Sequence, residues 1–451
     1  MKKKTVLFVT VVLLLAAAVS ANDLVVTVYN SNLGVVSETR SLEFKKGIGR
    51  LPFRDVPAYI DAASVRFEIA ESDKNVSILE QNYAFDLVSP EKLYAKYIDH
   101  EIELIDKEGR LYTGTLLAPS GNSVTMMDEL GKVKIISLKE VTEVNFPVLP
   151  DGLITRPTLF WLYHSDYSGT IDCNVGYQTS GMNWTAEYVG LLDESETELS
   201  LSGWASIDNT SGKTYKDAKL KLIAGDIHRA PVPGRGPRME QMLMAKGMGG
   251  ESFEEKAFFE YHMYTLPRKT TLADKEIKQV SLFEPAETGI EKVYLYQPDR
   301  DGKSVKVKVE FVNSKDAGLG MPLPAGRVRM FKADSDGSLV LLGEDRIDHT
   351  PKDEEVSLTV GTAFDIAAEE RLAEQTRISK LVENRKYEIE LRNRKDEDVI
   401  VKVEKKLWGF WEVQECNFDY KQKDANTLVF QIPVKAGETV ILELAVRFTS
   451  R

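Results

Sequence analysis

The chain has 451 residues, 43% of them hydrophobic and 28% charged, an ordinary globular composition with length for about three domains. Its formal net charge of −12 argues against a nucleic-acid partner, which would call for a basic face. Two cysteines, Cys173 and Cys416, make no metal motif. Both lie in strand-like runs, where a buried free thiol is the commoner state, and the sequence leaves open whether they pair.

Met1 to Ala21 reads as a secretory signal. Lys2, Lys3 and Lys4 form a basic start, Val6 to Val19 is apolar and uncharged, and Val19-Ser20-Ala21 offers small residues for cleavage. The apolar run falls short of the ~20 residues a membrane span needs. Asn22, not Cys, follows it, and no later segment is apolar enough to span. Export to the periplasm or the outer cell surface is therefore expected. Removal of the signal takes away three lysines and no acid, leaving a net charge of −15, read as a solubility feature.

Residues 22–90 read as an N-terminal β domain. Leu24 to Tyr29 and Ser41 to Phe44 have strand character, and Val65, Phe67 and Ile69 alternate with charged residues. Ser89-Pro90 opens a short helical piece, Glu91 to Tyr97. Residues 91–150 hold five short strands with Gly109, Gly121 and Gly131 at the turns, a spacing that predicts a small closed barrel of SH3 type. It has no basic or aromatic patch and reads as a structural module. Pro147, Pro150 and Pro157 mark a boundary.

Residues 151–300 read as a first β-sandwich module. The aromatic clusters Phe160-Trp161-Leu162-Tyr163 and Trp184 with Tyr188 are expected in its core. Leu199, Leu201, Gly203, Ala205 and Ile207 alternate with polar residues, and Ala218, Leu220, Leu222 and Ala224 with lysines. With Asn209 to Gly212 as a turn, the two runs predict a β-meander. Residues 230–254, rich in Pro, Gly and Met, read as a long exposed loop whose methionines would form an adaptable contact surface.

Residues 301–451 read as a second sandwich module, closing on the alternation of Val440, Leu442, Leu444, Val446 and Phe448. Three strands end in apolar-x-Asn, at Asn209, Asn313 and Asn393. This repeated device is attributed to asparagine's tolerance of the left-handed turn conformation. Ala363 to Asn384 has helical propensity, yet the all-β context favours strand.

The search for chemistry returns little. There is no nucleotide-binding loop, serine-hydrolase elbow or zinc-protease helix. Gly318 to Gly326 resembles a phosphate loop only in glycine spacing, because Pro322 and Pro324 lack the N–H groups that would hold an anion. Of His100, His164, His228, His262 and His349, the last stands beside Glu344, Asp345 and Asp348, with Glu355 nearby. Such a set offers acid–base or metal chemistry. Asp348 and His349 would point to opposite faces of a strand, so a hydrogen-bonded turn before Pro351 is the simpler reading. Tyr261-His262 is the second candidate. No cofactor and no bound metal are expected.

Several motifs resemble an exported bacterial family, the envelope-associated domain of unknown function shared with mucoidy inhibitor A-like proteins. They are Ser180-Gly-Met-Asn-Trp184 with Tyr188, Leu222-Ile-Ala-Gly-Asp226, Phe259-Glu-Tyr-His262, the 318–326 loop and Gly343 to Pro351. The resemblance spans about Thr158 to Arg451. It implies a β-rich exported domain, with strand at 363–384 and no catalytic residues to transfer. Mucoidy-inhibitor proteins carry a coiled coil before this domain, whereas this chain has the small barrel there.

The sequence thus predicts an exported, multidomain all-β envelope protein that binds or scaffolds an envelope protein or glycan. The alternative is an envelope hydrolase, metal-dependent or not, using His349, Asp348 and Glu344, with His262 and Tyr261 as further candidates.

Overall fold

A computed structural model describes residues 23–70, 74–150, 153–225, 227–228 and 253–449. The segment read as a signal and nearly all of the loop at 230–254 lie outside the described residues. Strand accounts for 67% and helix for 3%, so the fold is all-β and of β-sandwich type. Among the described residues, no helix is long and apolar enough to cross a membrane. The chain divides into two compact units: one takes the chain up to Val26, Val35–Ser180 and Ser211–Lys219, the other Thr27–Gly34, Gly181–Thr210 and Leu220–Arg451.

In the first unit, Thr158–Ser165 is the middle strand of a three-stranded antiparallel sheet, between Gly47–Arg54 and Val76–Ala84. Gly34–Phe44, Gly169–Thr179 and Ile60–Ile69 neighbour one another in that order in a second sheet. Their inward side chains form one core. Phe44 meets Tyr163 edge-on at 4.9 Å between ring centroids, and Phe53 stacks on Trp161 at 4.8 Å. The first aromatic cluster is therefore core packing, as alternation predicts.

Buried in the same unit, Glu38 accepts from Lys213 Nζ at 3.1 Å, from Tyr177 Oη at 3.0 Å and from Arg40 Nε at 2.9 Å. Burial pushes the Glu38 carboxyl up, but the charges of Lys213 and Arg40 and their hydrogen bonds outweigh it, and the net shift is downward.

Residues 90–145 form a separate small module. Ser89 caps the helix Pro90–Lys96 through the Lys92 N–H, with proline at the first helical position. Five antiparallel strands follow, ordered Val141–Asn145, Glu101–Asp106, Leu111–Ser120, Ser123–Met127, Val133–Ser137. The last strand in sequence thus returns to pair with the first, and no pairing joins the two outer strands, so the sheet is not hydrogen-bonded into a closed cylinder. Ile102, Leu104, Leu116, Val124 and Met126 pack with Tyr97 as its core. The glycines at 109, 121 and 131 all adopt positive φ, as the turns require.

In the second unit, five strands are ordered Glu276–Gly289, Glu198–Asn209, Met182–Leu192, Gly326–Ala333, Leu339–Ile347. Met182–Leu192 and Gly326–Ala333 run parallel; the other pairs are antiparallel. Tyr215–Ala224 does not pair with Glu198–Asn209, so the predicted meander is incorrect. Period-two patterning identified the buried face, and Leu199, Leu201, Ala218 and Leu220 are all buried. It carries no information about which strand lies alongside.

Nine strands make the last sheet, ordered Phe410–Cys416, Thr439–Thr449, Val382–Asn393, Glu355–Arg377, Ser304–Val312, Glu291–Tyr296, Val399–Lys406, Thr427–Val434, Tyr420–Asp424. Leu444, Ile389, Ile366, Val305, Tyr296, Val403 and Phe430 share one core, so this sheet folds over onto itself. Residues 363–377 are strand: up to Ala367 they pair with Ser304–Val312, and from Ile366 to Arg377 with Val382–Asn393. Pairing first with one neighbour and then with the other overrides helical propensity here.

Sheet membership follows lines other than linear cuts at 150 and 300. Thr158–Ser165 joins strands from 47–84, Gly326–Ala333 joins Met182–Leu192, and Glu291–Tyr296 pairs in parallel with Val399–Lys406. Cys173 and Cys416 are not joined in a disulfide: Cys173 lies in the first core, where its thiol donates to Ile171 O, and Cys416 is half-buried in the nine-stranded sheet.

The three strand-ending asparagines are buried, and none has positive φ. Their role is in the side chain. Asn209 Nδ2 donates to the carbonyls of Leu272 and Ala273, both at 3.1 Å. Asn313 Nδ2 donates to Met321 O at 2.7 Å and Pro351 O at 2.9 Å, while its Oδ1 accepts the Gly320 N–H. Asn393 Nδ2 donates to Glu397 O, Val434 O and Lys435 O. Each carboxamide therefore ties a strand end to the loops beside it, which replaces the left-handed-turn explanation.

Two outcomes test this account. Asn393→Ala should lower the stability of the nine-stranded module by about 2–4 kcal/mol in urea unfolding, because buried carbonyls lose their donor. Asn393→Asp, similar in shape but without N–H groups, should do no better, and a cost below about 1 kcal/mol for both would refute the clamp. Since the folded Glu38 value is depressed, its contribution is present above the ordinary glutamate value of 4.5 and is lost as pH falls through the folded value. Thermal unfolding of Glu38→Gln should accordingly show a shallower loss of stability on the acid side; an unchanged slope would contradict it.

Candidate functional site

The acidic residues around His349 do not converge on it. Glu344, on the edge strand Leu339–Ile347, accepts from Arg329 Nε at 3.0 Å and lies 3.8 Å from Arg327. Both arginines also bind the buried Glu187. Glu344 is thus one corner of a two-arginine, two-glutamate network. Asp345 accepts the Thr359 N–H. Asp348 is exposed, and its carbonyl accepts from Thr350 Oγ1 at 2.9 Å, part of a hydrogen-bonded turn before Pro351. Among the described residues, no three His, Cys, Asp or Glu side chains are grouped so as to hold a metal.

His349 instead shares a recess with the other histidine candidate. His262, Tyr264, Ala224, Pro322, Leu323, Pro324, Thr350 and Pro351 complete a hollow of about 50 Å³. Each wall has a cause in sequence. His262 and Tyr264 stand two apart on the strand Tyr261–Leu272 and therefore on one face, while Tyr261 falls on the other. The 318–326 loop forms the opposite wall. Asn313 pins it, and Leu323 and Thr350 exchange backbone hydrogen bonds at 2.9 Å. Tyr188 Oη donates to Pro324 O at 2.7 Å and Tyr264 Oη to Pro322 O at 3.0 Å. Burial pushes both phenols up, so they remain protonated donors. The prolines that spoil an anion cradle thus supply carbonyl acceptors and apolar wall.

The ring nitrogens are assigned by their partners. Ala325 N–H donates to His349 Nδ1 at 3.1 Å, so that nitrogen holds a lone pair and the neutral ring carries its proton on Nε2. His262 Nδ1 lies 2.8 Å from Glu255 Oε1, and a carboxylate only accepts, so here Nδ1 carries a proton, and in the neutral ring Nε2 holds the lone pair. A metal at His349 Nε2 would require the tautomer that Ala325 disfavours.

A larger cleft lies elsewhere, in the first unit. It has a volume of about 320 Å³ and is lined by Val65, Phe67, Val76, Ser77, Ile78, Gln81 and Trp161. It runs between Ile60–Ile69 and Val76–Ala84, each an edge strand of its sheet. Gln81 spans the gap at one end: its Nε2 donates to Ala62 O at 2.6 Å, and its Oε1 accepts from Trp161 Nε1 at 2.8 Å. Nothing in the sequence pointed to this cleft, because its lining reads as ordinary strand alternation. Likewise Tyr264 and the proline loop become site residues only through packing, although the two-residue spacing of His262 and Tyr264 was legible.

No protein-family model and no curated protein matches the chain.

Calorimetric titration of the chain with zinc should show no stoichiometric uptake that depends on His349. Uptake lost in His349→Ala would mean that the ring abandons the Ala325 N–H.

Proposed function

We propose that this is an exported envelope protein that works by binding a partner rather than by turning over a substrate. The observation that carries the reading is the lining of the cleft in the first unit. Five apolar side chains and two neutral polar ones line it, with no imidazole, carboxylate or thiol among them. A volume near 300 Å³ stands at the lower end of the range of ligand sites. The two flanking edge strands also offer backbone groups to an extended segment. The carboxylates that a hydrolase would need near His349 are engaged elsewhere, Glu344 by arginine and Asp345 by backbone. The signal-like start of the chain and the resemblance of residues 158–451 to an envelope domain support the exported setting.

The test is sedimentation of the mature protein with an envelope fraction, sacculi and outer membrane together, from its own cells. Saturable co-sedimentation is expected. Val65→Trp, on the same strand face as Phe67 and so directed into the cleft, should weaken it about tenfold while the chain stays folded by thermal unfolding. Absence of any saturable binding by the wild-type chain would overturn the reading.

A further inference from the structure

We propose that Lys405 and Asp299 join in an intramolecular isopeptide bond, with Glu370 moving the protons, a property separate from the binding reading above. These residues meet at one end of the core of the nine-stranded sheet. Three strands bring polar groups there by period two. Ile366, Ala368 and Glu370 share one face of Glu355–Arg377; Leu391, Ile389 and Tyr387 share one face of Val382–Asn393; Val401, Val403 and Lys405 share one face of Val399–Lys406. The first two of each set are core residues, so the third also faces inward, where the core ends. Asp299 comes from the short helix Pro298–Asp301, which follows Glu291–Tyr296 in the chain.

Lys405 holds its amine inside the protein, with a side chain only 4% accessible. Its Nζ donates to Glu370 Oε1 at 2.9 Å and to Asp299 Oδ1 at 3.4 Å, and it lies 4.6 Å from the centroid of the Tyr387 ring. The two carboxyl groups differ. Glu370 takes the shorter bond on Oε1, while its buried Oε2 has no hydrogen-bond partner. Burial above all pushes the Glu370 carboxyl up, so a proton can rest on that oxygen. Asp299 is 43% accessible, and a water released from it passes directly to solvent. Lys213 is buried as deeply in the first unit, yet there Glu38 has both oxygens bonded, Oε1 by Lys213 and Tyr177 and Oε2 by Arg40. A buried lysine facing a second carboxylate with a spare oxygen is costly as a set of ions, and an amide removes one charge of each sign.

The step balances without a co-reactant. Glu370 takes a proton from the Lys405 ammonium, and the freed lone pair of Nζ attacks Asp299 Cγ. A C–N bond forms and one Cγ–O bond breaks. Two of the three ammonium protons leave with that oxygen as water, relayed by Glu370, which ends as it began. Nothing is oxidised or reduced. Contact between amine and carboxyl supplies what the free groups lack in water, since well-oriented reactants within one molecule reach effective molarities of about 10⁵ M or more. The link closes a loop between residues 106 apart in sequence. It gives this core a covalent tie in a chain whose two cysteines are not joined.

The test is tryptic peptide mapping of the full chain by mass spectrometry after complete denaturation. Segment 293–300 should appear joined to segment 403–406, at the sum of their masses less one water, with no cleavage after Lys405. Asp299→Ala should abolish the joined peptide. Glu370→Gln should leave it below about one-tenth of the wild-type level, with circular dichroism showing both variants folded. A wild-type chain that yields only the separate peptides would overturn the proposal, and that measurement needs no variant to fold. Lys405 joined to Glu370 instead would overturn the choice of Asp299 as the group attacked. Full joining in folded Glu370→Gln would overturn the proton role of Glu370.

Discussion

The second unit depends on a buried carboxamide used three times. A strand that ends inside a protein leaves neighbouring loops with backbone carbonyls cut off from water, and each such group costs about 1–3 kcal/mol if it stays unpaired. Asn209, Asn313 and Asn393 meet this constraint in the same way, with one side-chain amide shared among two or three carbonyls from other segments. Asparagine suits the task because its NH₂ offers two donors on a short stem while its oxygen can still accept. At Asn313 and Asn393 the oxygen does accept, from Gly320 N–H and Lys395 N–H. No apolar residue of similar volume could replace it without stranding those carbonyls.

The recess follows from one of these clamps. A loop containing Pro322 and Pro324 cannot join a ladder through those positions, since proline lacks the N–H. Asn313 holds the loop from one side and the buried hydroxyls of Tyr188 and Tyr264 from the other. The 349–351 turn is tied to the same loop through Leu323, Thr350 and the Ala325 N–H. His349 is therefore placed by the packing of the loop, and its free nitrogen is decided by a backbone group twenty-four residues away in sequence. The charged groups that looked functional in the linear chain are drawn into neutralising pairs instead, with Glu344 serving Arg327 and Arg329.

Where charges are buried in this acidic chain, they are buried in company. Glu38 is buried with Lys213, Arg40 and Tyr177, so its oxygens are occupied by two cations and a hydroxyl. Such a group is costly to bury alone and tolerable when fully bonded. Arg40 stands two residues along the same strand, but Tyr177 and Lys213 come from far along the chain, and no local pattern marks those two as partners.

What the sequence determined by itself was local and periodic. Alternation at 199–207, 305–311 and 440–448 dictated strands and their buried faces, because side chains on a strand point to opposite sides in turn. Glycines at 109, 121 and 131 dictated turns, and the aromatic run at 160–163 dictated core, since large apolar rings must leave water. The recurrence of apolar-x-Asn was also visible, although its meaning was not: a backbone preference was read where a side-chain clamp operates. Only the tertiary structure decided which strands are neighbours, that Tyr215–Ala224 leaves Glu198–Asn209 and that Met182–Leu192 takes Gly326–Ala333 alongside. Strand pairing is a choice among many edges of equal periodicity, settled by the whole core at once. For the same reason only the fold could separate His349 from Glu344 and set it beside His262, because that proximity belongs to loops whose positions are fixed by hydrogen bonds across the chain.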